Sequence, residues 1–150
     1  MIFRRSLCLL LAFSLGGCWT PYKKSDAADR EPLRHAAGDT AFQAFLGRLR
    51  IAVRKKDLPM LASMMTGDFG YTWEESAEPS AQIFTYWDQN SLWPVLEDLL
   101  TQPFAPQDLY MVSPPAFASD PNYNGPRCGV RMVRGSWKLA YFLPHGGQVQ

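Results

Sequence analysis

The stretch Phe42 to Phe69, "FQAFLGRLRIAVRKKDLPMLASMMTGDF", decides the architecture because its apolar residues change period inside it. Phe42, Phe45, Leu46, Leu49 and Val53 recur at spacings of three and four, which lines one face of a helix with apolar side chains. Asp39 or Thr40 stands where an N-cap belongs. A second, shorter helix follows: Asp57 caps it, Pro59 is tolerated in its first turn, and Leu58, Leu61 and Met65 share a side. Gly67 is expected to stop it, and the pair Met64 and Met65 to fill core space. Immediately afterwards Phe69, Tyr71 and Trp73 alternate with Gly70 and Thr72, the period of a strand with one buried face.

Towards the C-terminus, "EESAEPS" reads as a polar loop, and Ser80 opens a helix in which Ile83, Phe84 and Trp87 fall at helical spacing. Asn90 or Ser91 restarts a helix through "LWPVLEDLL", with Leu92, Leu96, Leu99 and Leu100 as its apolar face. "TQPFAP" breaks the pattern, "DLYMV" is the one short strand expected between Gln102 and Pro126, and "SPPAFASDPNYNGP" is read as a loop. The end carries the clearest strand signal. "RCGVRMV" and "WKLAYFL" are two runs joined by "RGS", the pattern of a hairpin, and Cys128, Val130 and Met132 are expected on one buried face. Helices first, one strand, a helical middle and strands last imply an α+β fold, with helices on one side of a mainly antiparallel sheet.

Upstream, "TPYKKSDAADREPLRHAAG", Thr20 to Gly38, is charged, bears Pro and Ala, and has no clear period, as expected of a tether. His35 inside it is read as a solvated side chain. Before the tether, Arg4 and Arg5 precede the apolar run Leu7 to Leu15, and Gly16 and Gly17 lead into Cys18. This is the layout of a secretory signal, and its apolar run is about half of the roughly 20 residues that a spanning helix needs. The expected organisation is a signal peptide at 1–17, a tether at 18–38, one α+β domain at 39–145 and a tail at 146–150.

Two resemblances follow from these residues. Leu15-Gly16-Gly17-Cys18 resembles the lipobox of bacterial lipoproteins, which implies diacylglyceryl transfer to the Cys18 sulfur, cleavage after Gly17 and acylation of the new amino terminus, palmitate being a typical chain. Several acyl chains hold a protein at a membrane where one does so only marginally. Trp19 in place of Asp resembles outer-membrane sorting, so the expected location is the cell envelope, lipid-anchored to the outer membrane and facing the periplasm. An ordinary cleaved signal with a chance cysteine is the alternative. The second resemblance rests on "FQAFLGRLRIAVRKKDLPMLASMMTGDF" together with "GSWKLAYFL", which is similar to the nuclear transport factor 2-like (cystatin-like) superfamily. It implies a curved sheet wrapped around the long helix, with a conical pocket between them.

Composition bounds the chemistry. With 47% hydrophobic and 19% charged residues the chain belongs with globular proteins. Without Arg4 and Arg5, thirteen Lys and Arg stand against fourteen Asp and Glu, a net of −1, which gives nothing for nucleic acid. Charge is nevertheless segregated: Arg48, Arg50, Arg54, Lys55 and Lys56 crowd one stretch, whereas residues 57–126 hold ten acidic residues and no Lys or Arg. Such runs are usually solvated faces, and the functional alternative is a surface that docks a charged partner or the anionic membrane surface. No His pair, His-Glu spacing or Cys cluster suggests a metal, no cofactor is expected, and Cys128 has no partner for a disulfide in the mature domain.

For catalysis the candidates are Asp68 with Tyr71 and Tyr86, and the simpler reading of Asp68 is a turn residue. For ligand binding they are Trp73, Trp87, Trp137 and Tyr141, within an aromatic concavity suggested by the superfamily's curved sheet. The function expected is therefore a membrane-anchored, non-catalytic module that binds a small apolar ligand or an envelope protein. The alternative is an isomerase or hydratase using a pocket Asp and Tyr.

Overall fold

The structure is a computed structural model and describes residues 38–71, 76, 77 and 79–145. Cys18, the signal and tether segments, the tail 146–150 and Trp73 lie outside the described residues. The order is α1 (Thr40–Lys55), α2 (Leu58–Met64), β1 (Met65–Gly70), β2 (Ser76–Ala77), α3 (Ala81–Gln89), α4 (Trp93–Thr101), β3 (Ala105–Gln107), β4 (Tyr110–Ser113), α5 (Pro115–Ser119), β5 (Arg127–Val133) and β6 (Ser136–Leu143). The six strands form one sheet ordered β2-β1-β6-β5-β4-β3, in which only β1 and β6 run parallel. The fold is α+β, with helices packed against a mixed sheet.

The helices form for the reasons visible in their residues. The Asp39 carboxylate accepts from the Ala41 amide and the Asp57 carboxylate from the Met60 amide, so each cap satisfies an otherwise orphaned donor. The α1 stripe is buried from Phe42 to Val53, with Ala52 added to it. At the other end of α4, the carbonyls that a helix leaves open are taken up by side chains: Ser113 donates to Leu99 O at 2.7 Å and Arg50 Nε to Leu100 O at 2.7 Å. These two bonds pin α4 to β4 and to α1 respectively.

Several boundaries differ from the pattern reading. α2 stops at Met64, and Gly67 lies inside β1, because Met65 to Gly70 is drawn into the sheet by parallel pairing with β6. The expected loop around Ser76 supplies the two-residue strand β2, held by Phe69 and Gly70. β3 lies in "APQ" and pairs with β4, and "PAFAS" makes the short α5, so the segment between Gln102 and Pro126 holds two strands rather than one. α4 begins at Trp93, with Leu92 as its N-cap.

The closing hairpin is the longest pairing in the sheet. Its loop is Arg134-Gly135, both at positive φ (49° and 79°), the backbone of a two-residue turn whose twist matches the strands. One irregularity reorients half of β6. Gly129 pairs with Tyr141 but Val130 with Leu139, which leaves Ala140 as a bulge. Simple alternation would send Trp137, Leu139 and Tyr141 to the same face. The bulge instead puts Trp137, Leu139 and Phe142 on the helix side and turns Tyr141 to the opposite side. On β5, Cys128 and Val130 are fully buried as expected, whereas Met132, near the hairpin end, is 44% exposed.

Candidate functional site

Between helices and sheet, aromatic side chains among the described residues pack on one another. Trp87 is completely buried and meets Phe69, Phe84, Trp93 and Phe142 edge-on, with ring centroids 6.0, 5.6, 5.1 and 5.3 Å away. Trp137 is 7% exposed and lies 4.9 Å from Phe42, itself edge-on to Phe104. Edge-to-face pairs of this kind are a favourable way to fill a core. The expectation that Trp87 and Trp137 line a binding concavity is therefore corrected: both are core side chains, buried and packed against neighbouring rings.

The catalytic candidates are not assembled either. Asp68 sits on exposed strand surface, where Arg131 Nη2 reaches both of its carboxylate oxygens, at 2.7 and 2.8 Å. Partial burial pushes the Asp68 carboxyl up, but Thr66 and Arg131 together outweigh it and hold the carboxyl below its ordinary value. An anion kept ionised and paired with a guanidinium is poorly suited to take a proton at neutral pH. Tyr71 and Tyr86 do meet, edge-on at 6.3 Å and half-buried against the helical core, whereas the Asp68 carboxylate is exposed and held by Arg131. The expectation of a pocket carboxylate at Asp68 is thus corrected: the side chain is exposed and ion-paired.

The segregated charges turn out to answer one another. Arg54 pairs with Glu97 at 2.9 Å, and Lys56 pairs with Asp88 at 2.6 Å while lying over the Trp93 ring. Asp88 also accepts from Trp93 Nε1 at 2.8 Å, and the Lys56 hydrogen bond leads in holding its carboxyl below the usual range. Arg54 and Lys56, two of the five cations of that stretch, are thereby answered by the acidic middle of the same chain.

Among the described residues, a groove opens on the other face of the sheet. This groove, of about 350 Å³, is lined by Gly70, Gln107, Asp108, Tyr110, Phe117, Tyr141 and Leu143. Its elements are the β3–β4 turn, α5 and the middle of β6, brought together by the register Gln107–Tyr110, Val112–Gly129 and Gly129–Tyr141. Tyr141 lies flat over Gly129: a Cβ built there would be 2.3 Å from two of its ring carbons. Only a glycine lets the ring settle so close to the strand. Tyr110 packs edge-on to Tyr141 at 5.5 Å. Burial pushes the Tyr141 phenol well up, with Cys128 and Tyr110 adding to the effect and Arg127 opposing it, so it stays a neutral hydroxyl.

Behind the groove, the Arg127 guanidinium carbon stands 4.8 Å from the Phe117 ring centroid, and Arg127 is 2% exposed. Burial lowers its pKa, while Tyr141 and Tyr123 work the other way. At the lip, Gln107 Nε2 donates to Phe117 O at 3.5 Å, tying α5 to the edge strand. Asp108 takes a positive φ of 52° in the turn.

Of the sequence-based ligand candidates, Tyr141 lines this groove. Tyr110, Phe117, Gln107 and Asp108 line it as well and were not singled out by the sequence. The available signal was Gly129, a glycine inside a strand pattern, which marks close approach by another group. Among the described residues, no group of three His, Cys, Asp or Glu is placed to hold a metal, and no helix is long and apolar enough to cross a membrane. No family model, curated protein or solved structure matches the chain.

Proposed function

We propose that this protein is a bacterial envelope lipoprotein, anchored through lipid on Cys18, whose nuclear transport factor 2-like domain is a non-catalytic binding module. The observation that carries the binding reading is the groove on the outer face, where a bulge and a glycine place Tyr141 beside Tyr110 and Phe117. Bulges recur next to functional sites because they re-aim a side chain that simple alternation would bury. The volume lies near the lower end of the roughly 300–1,000 Å³ typical of small-ligand sites, and apolar walls with a few polar groups are their usual form. The helix-first order, the mixed sheet and the closing hairpin support the superfamily reading. In this version of that fold the ligand enters from the sheet's outer face.

The anchor and the site are tested separately. Metabolic labelling with an alkynyl fatty acid should mark the wild-type protein and not Cys18→Ser, which should leave the membrane or persist as uncleaved precursor; an unlabelled, soluble wild-type protein would end the lipoprotein reading. A thermal-shift screen of the full chain in detergent should find a small molecule that raises the melting temperature, because a ligand that binds only the native state must stabilise it. A hit whose effect survives Tyr110→Ala would place binding elsewhere.

A further inference from the structure

We infer that the groove takes a neutral, ring-shaped polyol, namely a sugar unit of a glycan. The inference rests on the groove being the binding site and names what the site recognises. The walls come first. Tyr110, Phe117, Tyr141 and Leu143 present aromatic and aliphatic surface, which selects a ligand with at least one apolar face.

The polar groups narrow the choice further. Among the described residues, the Gln107 amide nitrogen is engaged with Phe117 O, which leaves its carbonyl oxygen as an acceptor, and the Asp108 carboxylate accepts no hydrogen bond. The lip therefore offers chiefly acceptors, with the Tyr110 and Tyr141 hydroxyls able to donate or accept. Its natural complement carries several donors, and both polyols and amines fit that description.

Charge decides between these two. Aromatic rings beside a carboxylate also suit an ammonium group. Here, however, the Arg127 guanidinium already occupies a face of Phe117 and is close enough to Tyr141 for each to influence the other's ionisation. A second cation would be repelled from one side as it is attracted by Asp108 on the other. An anion meets the reverse conflict, because it must pass Asp108. A neutral molecule avoids both penalties. A sugar ring has an apolar face of C–H bonds for the tyrosines and hydroxyl donors along its edge for Gln107 and Asp108.

Saturation-transfer NMR of the full chain in a polyoxyethylene detergent, which contains no sugar, tests this with maltose, N,N′-diacetylchitobiose, choline and octanoate. The expected result is saturation of the ring protons of at least one disaccharide, with affinity falling about tenfold or more in Tyr110→Ala. Asp108→Asn, which keeps an acceptor and a residue type tolerant of positive φ, should weaken disaccharide binding only a few-fold. If choline or octanoate binds in a Tyr110-dependent way and neither disaccharide does, the sugar assignment is overturned while the groove remains a binding site. If no probe binds in a Tyr110-dependent way, the sugar assignment falls, and a thermal-shift screen without a Tyr110-dependent hit removes the binding-site reading as well.

Discussion

Gly129→Ala should destabilise the domain through a single collision. The new methyl carbon would lie 2.3 Å from two carbons of the Tyr141 ring and 2.6 Å from its hydroxyl oxygen. Contacts below 3.0 Å do not persist, so the ring must leave its seat over β5, giving up its edge contact with Tyr110 and opening the groove wall. Overpacking of this kind costs about 1–3 kcal/mol. For a domain of this size that corresponds to roughly 4–8 °C in Tm for each kcal/mol. Gly47→Ala is the matched control. Gly47 lies within α1 with open space where its Cβ would go, and alanine there should stabilise the protein by about 0.5–1 kcal/mol. Urea denaturation followed by circular dichroism reads both. The decisive variant is Gly129→Ala in a Tyr141→Ala background, where the colliding ring is gone and the added methyl should cost little. A full loss of stability in that double variant, or none in Gly129→Ala alone, would refute the placement of Tyr141.

Other predictions follow from the same geometry. Burial pushes the Cys128 thiol from 9.0 up to about 12, so a water-soluble maleimide should leave it unmodified at pH 8 unless denaturant is added. Because the folded state holds that proton more tightly than the unfolded chain, its contribution to stability should be lost as the pH rises from about 9 to about 12. Asp68, whose carboxyl is held low, contributes stability above its unfolded value of 3.8 that is lost as the pH falls through the folded value. The pair is exposed, so Asp68→Asn should lower stability by no more than about 1 kcal/mol at neutral pH and leave ligand binding intact. Trp87→Ala should cost about 3–5 kcal/mol in a denaturation experiment, and a loss below about 1 kcal/mol would show that Trp87 is not the centre of the core.

The parts of the fold legible in the sequence are those whose evidence is local. Asp39 and Asp57 cap where their positions say, and the stripe from Phe42 to Val53 is buried because a helix of period 3.6 has no other way to cover it. The hairpin announces itself through alternation on both sides of a glycine turn. β3 does not: three residues including Pro106 have no strand signature, and they become one only by pairing with β4. The site is hidden for a related reason. Its residues come from a turn, a five-residue helix and a strand, and Tyr141 faces the groove only because Ala140 bulges. The bulge is set by pairing across the sheet, so alternation along β6 alone assigns Tyr141 and Phe142 to each other's faces. The aromatics that stand out in the sequence, Trp87 and Trp137, stand out because the core needs them.

The central claim is that ligand binds on the outer face of the sheet and not between sheet and helices. NMR of full chain carrying ring-labelled tyrosine and labelled indole nitrogens, titrated with the compound that gives the largest thermal shift, tests it directly. The account predicts that the ring signals of Tyr110 and Tyr141 shift in proportion to occupancy while the indole signals of buried Trp87 and Trp137 stay still. Shifts at Trp87 and Trp137 with Tyr110 and Tyr141 unmoved would contradict it, and would place the site inside the helix-sheet interface.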